Sequence, residues 1–145
     1  MMRVVRGLLF GAALGLFFGA IARALMRLVA IGMGDEPELD VGVSVTLIGI
    51  FIVSGAGAGA ARAAHIPTWG RALAIFLTSA PLVVMGTVFG VGEVAEILDR
   101  DLTPPWVVEL LALSAVIFAI VLLTPYTGWR AGRRVDRRLA ERGLD

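Results

Sequence analysis

GLLFGAALGLFFGAIA, residues 7–22, decides how this chain folds. It carries no charge, and three similar uncharged stretches follow at 41–61, 72–92 and 110–129. About 20 apolar residues, rising 1.5 Å each as a helix, cross the ~30 Å hydrocarbon core of a bilayer. Lipid offers backbone amides no water, so a single spanning segment must be helical. The expected fold is all-α: a polytopic membrane protein with four transmembrane helices and a short basic amphipathic C-terminal helix. The spans are expected at about 7–30, 41–61, 72–92 and 105–125, within a membrane domain of residues 1–129 and ahead of a basic tail, 130–145.

Composition agrees. Of 145 residues, 58% are hydrophobic, above the 45–50% typical of soluble domains. Cysteine is absent, which excludes disulfide and thiolate chemistry. Arg3 and Arg6 ahead of an apolar run resemble the start of a signal peptide. The run continues past Arg23 to about Ala30, too long for a signal core, so it is read as a span.

Charge is sorted along the chain. Arg3, Arg6, Arg62, Arg71, Arg130, Arg133, Arg134, Arg137, Arg138 and Arg142 all fall on one side of the expected spans. Asp35, Glu36, Glu38, Asp40, Glu93, Glu96, Asp99 and Asp101 fall on the other, with Arg100 as the lone base there. The positive-inside rule then places both termini in the cytoplasm of a bacterial inner (plasma) membrane. Trp69, Trp106, Tyr126 and Trp129 sit at span ends, the depth that amphipathic rings favour. Pro104 and Pro105 suit a first helical turn behind Thr103 as N-cap, and Pro81 is expected to kink span three.

Gly7, Gly11, Gly15 and Gly19 recur every four residues, and Gly55 with Gly59 and Gly86 with Gly90 repeat the spacing. Residues four apart share a helix face, and glycine there lets a second helix approach closely. Two readings stand: packing inside one four-helix bundle, or a functional face, either an interface for a dimer or another membrane subunit or a narrow pathway lined by backbone.

Three charges are expected at membrane depth: Arg23, Arg27 and Glu109. Paired charges are tolerated in lipid better than isolated ones. The expectation is that Arg23 or Arg27 pairs with Glu109 or with Asp40; the alternative is that each side chain snorkels to the headgroups.

The tail carries six arginines, Arg130, Arg133, Arg134, Arg137, Arg138 and Arg142, against three acids. It suits contact with anionic lipids at the cytoplasmic face, each base contributing about 1 kcal/mol. No aromatic platform accompanies it, so nucleic acid is not an expected partner. His65 is the lone histidine, and one histidine without cysteine does not make a metal site. No catalytic residues, metal or cofactor are expected; no phosphate loop or nucleophile elbow is present.

Two family resemblances are carried by short segments. Gly19-Ala20-Ile21-Ala22-Arg23 followed by Thr46-Leu47-Ile48-Gly49 resembles the first half of small four-span fluoride channels. That resemblance implies a dual-topology dimer with two pores. The family's polar Asn in span two is missing, Thr78-Ser79-Ala80-Pro81 replaces its span-three break, and the charge asymmetry opposes dual topology. Ala22-Arg23-Ala24-Leu25-Met26-Arg27, then Pro37-Glu38-Leu39 and a Gly/Ala-rich span, is similar to uncharacterised small multi-span membrane proteins of actinobacteria over about residues 7–62. Leu39 stands where that family carries Phe, and the likeness implies no activity.

The leading expectation is a non-enzymatic structural or accessory membrane subunit packing through Gly/Ala faces. The alternative is a small channel or transporter with an outer vestibule lined by Arg23, Arg27 and Glu109. Few polar groups lie inside the spans to replace a solute's hydration, which favours the first.

Overall fold

A computed structural model of the chain describes residues 2–34, 41–64, 66–99 and 104–140, with side chains described as far as Arg130. Those residues form four helices and no strand: α1 (Met2–Gly32), α2 (Val41–Ala63), α3 (Thr68–Asp99) and α4 (Pro104–Ala140). All four are long and apolar enough to cross a membrane; in α4 that stretch is Pro104–Arg130. Glycine-rich α1 is a poor helix former by intrinsic propensity. Its helical form follows instead from the apolar medium, where each amide must bond within its own segment.

The ends have local causes. After Gly32 the chain turns at Gly34, whose φ of 82° suits a residue without Cβ. Met33 N–H donates to the Val29 carbonyl at 2.9 Å and Gly34 N–H to that of Ile31 at 3.0 Å, closing off the last turn. Pro67 cannot extend α2, and its carbonyl accepts from Arg71 N–H at 3.1 Å as α3 begins. Pro104 opens α4, where its missing N–H costs no helical bond. Thr103 lies outside the described residues, as do His65 and the acidic segment 35–40.

The helices run longer than the uncharged stretches alone indicate. Pro81 lies inside an unbroken α3, and α4 contains Pro125. A separate short C-terminal helix is not seen, because α4 continues without interruption from its apolar part to Ala140. No helix breaker falls between Trp129 and Ala140 except Gly132, so nothing in the sequence enforces a second helix.

Consecutive helices are neighbours, α4 closes back on α1, and α2 also touches α4 across the bundle. α1 and α3 make no close backbone approach among the described residues. The arrangement is a diamond with α2 and α4 on its short diagonal. Two apolar clusters fill it. Ala22, Leu47, Phe51, Leu82, Ile120 and Val121 join all four helices. Val29, Ile97, Leu110 and Ile117 join α1, α3 and α4 alone. Helix α2 contributes nothing there because it is short: 23 residues span about 35 Å, against about 46 Å for the 31 of α1.

Candidate functional site

Among the described residues, glycines bring the backbones of α1 and α2 together along a seam. Gly7, Gly11, Gly15 and Gly19 are all buried on one face of α1. A methyl group added at Gly11 would meet the Gly55 carbonyl oxygen, and one at Gly15 that of Phe51. At Gly7 it would come within 2.6 Å of the Gly59 carbonyl oxygen and 3.0 Å of Ala63 Cβ. The relation is mutual, since Cβ atoms at Gly55 and Gly59 would meet the carbonyls of Gly11 and Gly7. Two backbones therefore lie against each other along an antiparallel seam, which only residues lacking Cβ permit. At its end Phe51, fully buried, fills the space beside Gly19, 3.1 Å from an ideal Cβ there.

The other glycines divide. Gly86 of α3 faces Val121 of α4, whose side chain would lie 3.0 Å from a methyl group at that position. Gly90 has nothing within 4 Å, so it makes no packing contact among the described residues. Four residues advance a helix by about 400°, so a strict four-residue series rotates away from a neighbour unless the two axes cross along it. Two further glycines pack between helices outside the expected set. Gly128 of α4 lies 2.7 Å, by the same test, from the Gly55 carbonyl oxygen, and Gly57 lies against Thr78 of α3. Gly55 is thus shared by α1 and α4.

The charges expected at membrane depth differ in burial. Arg23 is half-buried, and its Nε–H donates to Ser44 Oγ of α2 at 2.9 Å. Arg27 and Glu109 are exposed. Exposure of Arg27 and Glu109 fits side chains that snorkel to the headgroups, the alternative to pairing; Asp40, the other suggested partner, lies outside the described residues. Azimuth explains the exposure of Glu109. Leu110 is 1% exposed and occupies the inward face of α4, so Glu109, rotated by about 100°, points outward. Of the tail arginines, Arg130 is exposed; Arg133, Arg134, Arg137 and Arg138 lie on the α4 backbone, and Arg142 lies outside the described residues.

Hydroxyl groups at membrane depth are mostly engaged. Ser54 Oγ donates to Ser79 Oγ at 3.2 Å between α2 and α3, both buried. Thr78, Thr87 and Thr124 donate to the carbonyls of Ala74, Val83 and Ile120 within their own helices, each at 2.8 Å. Such back-bonding satisfies the hydroxyl where no water is available. Ser114 is buried on α4, beside the Glu93 carboxyl of α3. Tyr126 and Trp129 stack in a tilted pair, centroids 6.4 Å apart.

No protein-family model, curated protein or solved structure matches the chain. The site therefore rests on its own geometry: a glycine seam closed within one chain, and charges distributed over its surface.

Proposed function

We propose that this chain is a non-enzymatic structural or accessory protein of a bacterial inner membrane, both termini in the cytoplasm. The observation that carries the reading is the backbone-to-backbone seam between α1 and α2. It fills the bundle with glycine and carbonyl groups and leaves, among the described residues, no row of free hydroxyls through which a hydrated solute could pass. The exposure of Glu109 and the engagement of Arg23 with Ser44 support this reading over a vestibule lined by Arg23, Arg27 and Glu109.

Any partner helix must then dock away from that seam. Helix α3 is the least enclosed: 11% of its apolar window is buried, against 22–28% in the other three. Gly90 and Gly92 stand open on it. The arginine-rich end and tail face anionic lipid in this reading.

The test is reconstitution of the purified chain into liposomes, with flux of protons, fluoride and small cations measured beside native-membrane size analysis. The reading expects no flux above empty liposomes and a complex larger than the chain alone. Saturable flux through the lone protein contradicts it.

A further inference from the structure

Helices α3 and α4 hold a polar pair inside their apolar contact. Gly86 of α3 packs against Val121 of α4. About two helical turns from that contact stand Glu93 on α3 and Ser114 on α4. The helices run antiparallel, so the two residues come level. Periodicity places both on inward faces. Ile97, one turn from Glu93, is fully buried, and Leu110 and Ile117, one turn either side of Ser114, are 1% and 6% exposed. Glu93 is itself half-buried. Ser114 is 7% exposed. Its Oγ lies beside the Glu93 carboxyl, near enough to act on it yet outside hydrogen-bonding geometry, and has no other partner among the described residues. Ser54 and Ser79 differ, since they bond to each other, as do the threonines that bond back to their own helices. Glu96, one turn further along α3, adds its negative charge to the field at Glu93.

We propose that Glu93 and Ser114 form a binding site for a monovalent alkali cation between α3 and α4. The donors set the class of ligand: carboxylate and hydroxyl oxygens are hard, and hard cations prefer them. A carboxylate set among apolar side chains calls for a compensating positive charge, and a buried hydroxyl without a partner is costly. One cation between the two oxygens meets both needs, with solvent on the half-exposed side of Glu93 completing its shell. The described arginines lie elsewhere. Arg23 donates to Ser44 of α2, Arg27 is exposed, and Arg3, Arg6, Arg62 and Arg71 stand toward the opposite end of the bundle. Charge favours a monovalent ion. Among the described residues no three acidic or histidine side chains gather as a metal-binding group, whereas calcium takes about six to eight oxygens, several of them from carboxylates. Glu96 is exposed, so solvent and salt screen its charge. Bound there, the ion ties α3, the least enclosed helix, to α4. The site goes beyond the structural reading and does not depend on it, because an ion is held here without being passed across.

The test uses the full chain in mild detergent and a hydrophobic carbodiimide, which labels carboxyl groups; mass spectrometry locates the label. Labelling is followed in sodium chloride, potassium chloride and choline chloride at equal ionic strength and fixed pH. Sodium or potassium, but not choline, is expected to slow labelling of Glu93 while leaving that of exposed Glu109 unchanged. In Ser114→Ala, half-protection should need about tenfold more of the ion. Glu93 labelled at one rate, or not at all, in all three salts overturns the site, as does unchanged protection in Ser114→Ala. Protection by calcium chloride at a far lower concentration than sodium chloride overturns the monovalent assignment. If Ser114→Ala does not fold, thermal stability of the wild-type chain decides: a higher Tm in sodium or potassium than in choline supports the site, and equal values overturn it. Failure here leaves the structural reading standing, whereas saturable flux through the lone protein overturns that reading and leaves this site in place.

Discussion

An added methyl group probes the α1–α2 seam most simply. Gly11→Ala or Gly55→Ala drives a Cβ into a backbone carbonyl that cannot swing aside. Each is expected to lower stability by about 1–3 kcal/mol, as overpacking does. Gly90→Ala meets nothing within 4 Å and should leave stability unchanged or raise it by up to ~1 kcal/mol through helix propensity. Reversible unfolding of the three variants in mixed micelles, followed by circular dichroism, checks the contrast. The Ser54–Ser79 bond makes a second residue-scale prediction: a double-mutant cycle to alanine should return a coupling of about 0.6 kcal/mol, typical of hydrogen bonds between membrane helices. Additive losses would show that the hydroxyls do not interact. The repeat of Gly7 to Gly19 was readable in the sequence because spacing fixes a shared helix face. Gly57 was not, since it lies between Gly55 and Gly59 and off the face they share; Gly128 has the same four-residue spacing to Gly132 and could have been found by it. Depth placed Glu109 within the bilayer but did not fix its azimuth; the inward place on α4 belongs to Leu110.

Among elements, α2 and α4 hold the bundle together, because each of them touches all three other helices. Phe51 marks the centre of α2, fully buried beside the glycines of α1. Phe51→Ala should cost about 3–5 kcal/mol by opening a cavity that a glycine-lined seam cannot refill. Phe76→Ala on α3, where the side chain is 67% exposed, should stay within about 0.5 kcal/mol. The same unfolding assay compares them, and equal losses would mean that the two helices are enclosed alike. Helix existence was legible from uncharged length, since hydrocarbon thickness sets the number of residues required. Helix ends were less so. Turns beyond the uncharged core, such as Thr68–Arg71 and Glu93–Asp99 of α3, carry polar residues that a helix tolerates once it leaves the hydrocarbon.

At the scale of the molecule, the diamond arrangement places large apolar side chains on its outside, among them Phe10, Phe17, Val84 and Val88, each more than half exposed. A soluble protein does not leave such surface uncovered, whereas lipid covers it without penalty. The pairing of helices around the diamond was beyond the sequence, because short links establish only that successive spans are antiparallel neighbours. The central claim is that the glycine seam closes within one chain inside a membrane. Because the chain has no cysteine, Arg23→Cys with Ser44→Cys in native membranes tests it directly: the two positions face each other from α1 and α2, Arg23 Nε lying 2.9 Å from Ser44 Oγ, and neither is a seam glycine. A short bifunctional thiol reagent should give an intramolecular cross-link, with the protein migrating as a single chain and its thiols protected from alkylation. Cross-linked dimers, or thiols that remain free, would contradict the account.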